Sequence, residues 1–167
     1  MKAPPTRYVL DTSVFTQAAR SYYHFAIAPG FWKALVQKAR AGTLLSIDRV
    51  KAEIDKGQDD LKKWVNSHFH YFQSTNDQTI VAAYRQVIQW ATAQNQYTPA
   101  AKTHFADNDN ADAWVVAYAR AKNCVVVTQE APAPQARHKI KLPDVCRGFN
   151  VQCIDTFEMM RRLRIRL

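Results

Sequence analysis

The sequence predicts an α/β protein, with a mainly parallel sheet covered by helices. Three observations carry that expectation. Short apolar runs at 7–10, 44–47, 124–128 and 151–154 are separated by longer stretches with helical spacing of apolar residues. The run from Cys124 to Thr128 is apolar without alternation, as in a parallel strand buried on both faces. Acidic residues stand just beyond such runs or at the heads of helices. In open parallel sheets, sites gather at the carboxyl ends of the strands.

The elements follow in order. Arg7 to Leu10 forms a buried strand that stops at Asp11, and Thr12 and Ser13 supply the cap of a helix running toward Arg20. Pro29 and Gly30 punctuate the chain. Phe31, Leu35, Val36 and Ala39 then recur at helical spacing up to Ala41, and Gly42 ends that helix. Leu44 to Ile47 is a strand; Asp48 caps a helix with Val50, Glu53 and Ile54, closed by Gly57. Asp59 to Phe72 is amphipathic, Asp77 to Gln94 is a longer amphipathic helix, and a short helix follows Pro99.

Asp109 to Ala121 reads as a helix with Trp114, Val115, Tyr118 and Ala119 on its apolar face. Glu130 to His138, with two prolines, is a loop. A helical turn begins at Leu142-Pro143-Asp144, Val151 to Ile154 is the last strand, and Asp155 caps the last helix. The aromatic group Tyr22, Tyr23, Phe25, Phe31 and Trp32 is assigned to core or partner packing ahead of base stacking.

Composition bounds the class. A chain of 167 residues with 47% hydrophobic and 22% charged residues suits one domain, 1–167, that buries its own core. No apolar run approaches the ~20 residues needed to span a bilayer. Met1 to Arg7 lacks an apolar signal core, and Cys124, Cys146 and Cys153 lack metal-type spacing. A reduced, cytoplasmic protein with no membrane partner is expected.

The formal charge of +9 favours nucleic acid, acidic proteins or anionic surfaces as partners. Part of it lies in Arg161, Arg162, Arg164 and Arg166, which read either as solvated residues at a helix C-terminus or as a phosphate-binding stripe. Lys139 and Lys141 alternate with Ile140, so an extended backbone would send both to one face.

Four acids focus the chemistry: Asp11, Glu53, Asp112 and Glu130. Each alone has an ordinary explanation, as a cap, a solvated helix residue or a favourable charge at a helix N-terminus. Together at one sheet edge they would repel one another unless a cation lay between them. Carboxylate oxygens suit Mg²⁺ or Mn²⁺. Asp107 and Asp109 are read first as caps. His68 and His70 would face different sides of a helix, and no Ser-His-Asp or Cys-His arrangement emerges. The opening Asp-Thr-Ser lacks the second Asp of a phosphoaspartate phosphatase.

The motifs Val-Leu-Asp-Thr-Ser at Asp11, Val-Lys-Ala-Glu-Ile at Glu53, Asp-Ala-Trp-Val-Val-Ala-Tyr-Ala from Asp112 and Val-Val-Thr-Gln-Glu at Glu130 occur in that order. With them the chain resembles the PIN-domain superfamily of metal-dependent ribonucleases. More narrowly it looks like a PIN-like branch that serves as the toxin of toxin–antitoxin pairs, through Lys-Ile-Lys-Leu-Pro-Asp-Val-Cys from Lys139 and Phe-Glu-Met-Met from Phe157. The resemblance implies a three-layer α/β/α fold and hydrolysis of RNA phosphodiesters by metal-activated water.

It further implies that Asp11, Glu53 and Asp112, with Glu130, hold one or two Mg²⁺ or Mn²⁺ ions, and that Thr12, Ser13 and Thr128 orient the carboxylates. Glu130 departs from the more common Asp of that motif, which puts a second metal in question. RNA, a cognate antitoxin and a second copy of the chain are the implied partners. A non-catalytic PIN-like binding module and a deoxyribonuclease using the same acids are the alternatives.

Overall fold

The computed structural model describes residues 3–167. Five short strands form one all-parallel sheet: β1 (Tyr8–Leu10), β2 (Leu44–Ile47), β3 (Phe72–Gln73), β4 (Val125–Val127) and β5 (Cys153–Ile154), in the order β3-β2-β1-β4-β5. Helices flank the sheet in the expected three-layer α/β/α arrangement. β1 lies in the middle, paired through Tyr8 with Leu44 on one side and Val125 on the other. All residues of β1, β2 and β4 are buried, which explains their largely apolar character, and Ser46 within β2 satisfies its hydroxyl by donating to the Leu10 carbonyl.

The helices are α1 (Thr12–Gln17), prolonged by a π-helical turn at Ala18–Tyr22, α2 (Pro29–Arg40), α3 (Asp48–Asp55), α4 (Asp60–His68), α5 (Gln78–Ala93), α6 (Pro99–Ala106), α7 (Asp112–Lys122), α8 (Leu142–Gly148) and α9 (Thr156–Arg162). Gly42, at φ 81°, turns the chain from α2 into β2. Asn123, at φ 55°, does the same between α7 and β4. A Cβ at Gly148 would come within 2.6 Å of the Trp90 ring, so that glycine lets α8 approach α5.

Apolar side chains from both sides of the sheet form one buried cluster around Val9, Leu10, Phe15, Phe31, Val116 and Val126. Of the aromatic group, Phe31 and Trp32 belong to it, and Tyr22, Tyr23 and Phe25 pack against it half-buried. Phe31 and Trp32 are buried, Trp32 donates its ring N–H to the Tyr23 carbonyl, and Phe25 stacks on Trp32 with centroids 4.2 Å apart. No helix among the described residues is long and apolar enough to cross a membrane.

Several local expectations are corrected. Phe72, read as the end of an amphipathic stretch, instead forms with Gln73 a fifth strand whose two residues pair with Ser46 and Ile47. Two residues are too few to display a period. His68 ends α4 and His70 lies beyond it, both exposed. Thr12 and Ser13 do not cap α1: Asp11 holds the cap position, and its side chain makes no capping bond.

Asp48 is likewise the first residue of α3 rather than its cap, because its carboxylate accepts the Thr75 N–H and hydroxyl instead. Helix α7 begins at Asp112, three residues later than expected, since Asp107 bends the preceding segment by accepting the Asp109 N–H. The last helix ends at Arg162, and Arg164 at φ 55° turns the tail away. The four C-terminal arginines therefore do not form one helical stripe.

Candidate active site

The carboxyl ends of β1 and β4 lie side by side, because Leu10 pairs with Val127. That register brings Asp11 and Thr128, each one residue past its strand, into contact. Thr128 Oγ1 and Ser13 Oγ each donate to Asp11 Oδ2 at 2.8 Å. Ser13 Oγ accepts the Gln129 N–H at 2.9 Å, and Thr128 Oγ1 accepts the Glu130 N–H at 3.1 Å. Gln129 then reaches the start of α9 by accepting the Thr156 N–H. One carboxylate oxygen is thus held by a network that joins both strands and their loops.

The other oxygen is not held. Asp11 is 2% exposed, and its Oδ1 is buried with no hydrogen-bond partner among the described residues, as is the Thr12 hydroxyl. Burial pushes the Asp11 carboxyl up to about 6, against the Ser13 and Thr128 hydrogen bonds and with help from the Glu130 charge. An unpaired buried carboxylate oxygen carries a desolvation cost that native structures rarely leave uncompensated.

Glu53 on α3 and Asp112 at the head of α7 complete the arrangement. Glu53 Oε1 accepts the Ala111 N–H at 2.6 Å, and Asn110 Oδ1 accepts the Asp112 N–H at 3.0 Å. The Asp112 carboxyl is raised well above its ordinary value, first by burial and then by the Asp11, Glu130 and Glu53 carboxylates, with Lys139 offsetting. The four acids therefore share one electrostatic field. Glu130 is engaged by protein: Oε2 accepts the Leu142 N–H at 2.8 Å, and Oε1 lies 3.4 Å from Lys139 Nζ.

All four acids line one open cleft of about 530 Å³, with Thr12, Ser13 and Lys139 also on its wall. Thr128 stands behind Asp11 rather than on that wall. Lys141 and the four C-terminal arginines do not line it either. Lys141 occupies the cap position of α8. Arg161 and Arg162 pair with Glu158 at 2.9 and 3.1 Å.

Four further lining residues were not singled out from sequence: Thr16, Lys56, His104 and Asn110. Asn110 carried a usable signal, an amide side chain just before a helix, but an early helix start hid it. Asp107 and Asp109 also line the cleft: Asp107 holds the C-cap position of α6 and accepts the Asp109 N–H, neither caps the start of α7, and Asp109 lies 3.6 Å from Lys56. Asp144 was missed as well. It is buried, and its Oδ2 accepts the Ala133 N–H at 2.8 Å, tying down the loop after Glu130.

Among the described residues, no group of three or more His, Cys, Asp and Glu side chains is placed so as to hold a metal ion. The donors nonetheless suit a hard divalent cation in kind. They are carboxylate oxygens, one of them buried and unpaired, on the wall of a cleft with six acids and two lysines. A family profile described as a domain of unknown function, DUF4411, matches residues 8–167. No curated protein and no solved structure matches the chain.

Proposed function

We propose that this chain, which belongs to the DUF4411 family, is a metal-dependent endoribonuclease of the PIN-like kind. The observation that carries the reading is the buried, unpaired Oδ1 of Asp11 beside Asp112 in an acidic cleft of a strongly basic protein. Asp11, Asp112 and Glu53 are the residues that would hold Mg²⁺ or Mn²⁺. When bound, the ion would supply an acidified water and neutralise charge developing on the phosphate.

The chain's own groups prepare for that. Ser13 and Thr128 fix the Asp11 carboxylate through Oδ2 and leave Oδ1 for a ligand. Asn110 and Glu53 cap the start of α7 and hold Asp112 at the cleft. The net positive surface draws a polyanion toward a site whose walls are themselves negative. The resemblance to the toxin branch supports RNA as the polymer, a toxin–antitoxin role, an antitoxin protein or a second copy as partner, and a cytoplasmic setting.

A non-catalytic binding module is the second reading, favoured by the protein donors already on Glu53 and Glu130. Cleavage of mixed structured and single-stranded RNAs, with DNA alongside, separates the readings. Mg²⁺- or Mn²⁺-dependent cutting that EDTA, Asp11→Asn and Asp112→Asn each abolish is expected. Persistent cutting by both variants rejects the acidic site, and binding without cutting under either metal favours the module.

A further inference from the structure

Glu130 and Lys139 sit near the two ends of the loop, 128–141, that joins β4 to α8, and that loop is built rather than loose. The Ala133 N–H donates to the buried Asp144, and Gln96 Nε2 donates to the Pro134 and Ala136 carbonyls at 2.8 and 2.7 Å. Beyond it, Ile140 at 3% and Leu142 at 0% exposure anchor the chain on either side of Lys141. The Leu142 N–H reaches back to Glu130 Oε2 at 2.8 Å. Lys139, next to the anchored Ile140, is thereby held with its ammonium 3.4 Å from Glu130 Oε1 on the wall of the cleft.

Both oxygens of Glu130 are thus engaged by the protein, one by a backbone N–H and one by a cation. Lys139 is a cation on the same cleft wall as Asp112. Lys139 also offsets the charge of Asp112. A divalent ion at Glu130 would have to approach a fixed positive charge and share an oxygen with it. Asp11 is in the opposite condition, with an oxygen that has no hydrogen-bond partner and with no ion pair among the described residues.

Resting on the nuclease reading above, we propose that Lys139 is a built-in cation that occupies the charge position at Glu130, so that the cleft takes one divalent ion rather than two. Asp11, Asp112 and Glu53 hold that ion, and Glu130 acts as a positioning residue for Lys139. The extra methylene of Glu130 relative to Asp gives its carboxylate the reach to meet both Lys139 and Leu142.

The test is Mn²⁺ stoichiometry by calorimetric titration, with electron paramagnetic resonance to detect spin-coupled Mn²⁺ pairs. Circular dichroism checks the fold of each variant. The intact protein should bind one Mn²⁺ with no pair signal. Lys139→Met should bind two and show the pair signal, Lys139→Arg should remain at one, and Lys139→Met with Glu130→Gln should return to one. Two ions in the intact protein, or a single ion with unaltered affinity in Lys139→Met, would overturn the role of Lys139 and leave the nuclease reading standing. Absence of Mn²⁺ binding in the intact protein would overturn both.

Discussion

Glu53 on α3 accepts the backbone N–H of Ala111 at 2.6 Å, so one candidate metal ligand caps the helix whose first residue is another, Asp112. The two acids are 59 positions apart in sequence but form one mechanical unit. The orphan N–H groups at a helix start are expensive to leave unpaired, and here the Glu53 carboxylate satisfies one of them. A change at Glu53 therefore reaches Asp112 without touching it.

Glu53→Ala should cost about 1–2 kcal/mol of stability, because the partly buried Ala111 N–H loses its acceptor. Glu53→Gln keeps an acceptor oxygen at the same reach and should cost less than half as much. Urea unfolding of the two variants measures the difference. Equal losses would show that the hydrogen bond does not support α7.

Stability of the metal-free protein should fall as pH rises from acid toward neutral. The Asp11 carboxyl stands at about 6 in the folded chain against 3.8 as its ordinary value, so the folded state holds the proton more tightly. Its stabilising effect is complete below the lower value and is lost as pH passes through the upper one. A shift of that size is worth about 3 kcal/mol over its full range, of which about 1.4 kcal/mol is lost between pH 5 and pH 7.5, and Asp112 acts in the same direction. Asp55, Asp77 and Glu158 are lowered by hydrogen bonds and act oppositely, only below the ordinary carboxylate range. Urea unfolding in EDTA at pH 5 and pH 7.5 reads the effect, which Asp11→Asn should reduce and saturating Mn²⁺ should reverse. Identical profiles for wild type and Asp11→Asn would contradict the burial argument.

Thr128→Val removes a donor from Asp11 Oδ2 and an acceptor from the Glu130 N–H while conserving shape. A loss of about 1–3 kcal/mol is expected, together with Mn²⁺ affinity weakened by about tenfold or more. Thr128→Ser should recover most of both. Affinity unchanged in Thr128→Val would mean that Ser13 alone orients the carboxylate.

The arginines of the tail should not contribute equally to RNA binding. Arg161 and Arg162 are paired with Glu158, whereas Arg164 and Arg166 are exposed and make no ion pair among the described residues. Replacing Arg164 and Arg166 with Ala should flatten the salt dependence by about 0.7 per lost phosphate contact on a single strand. Replacing Arg161 and Arg162 should change it less. An unaltered slope in both double variants would remove the tail from the binding surface.

The sequence by itself determined the layer architecture and the address of the acids. Unbroken apolar runs such as Val125 to Val127 announce strands buried on both faces, and 16 residues of amphipathic spacing announce α5. Both are local patterns that any fold containing them must satisfy. Asp11 and Glu130 were legible as strand-end residues for the same reason.

Tertiary structure alone decided which oxygens are free. β3 is only Phe72–Gln73, and its existence depends on the neighbouring edge of β2 rather than on its own pattern. That Thr128 meets Asp11 follows from the pairing of β1 with β4 across 117 residues of chain. That Lys139 meets Glu130, while Lys141 lies off the cleft wall, follows from the loop anchors at Asp144 and Gln96. Hydrogen bonds and charges act over a few ångströms in space. Partners supplied by distant segments leave no period, propensity or spacing in the chain that could announce them.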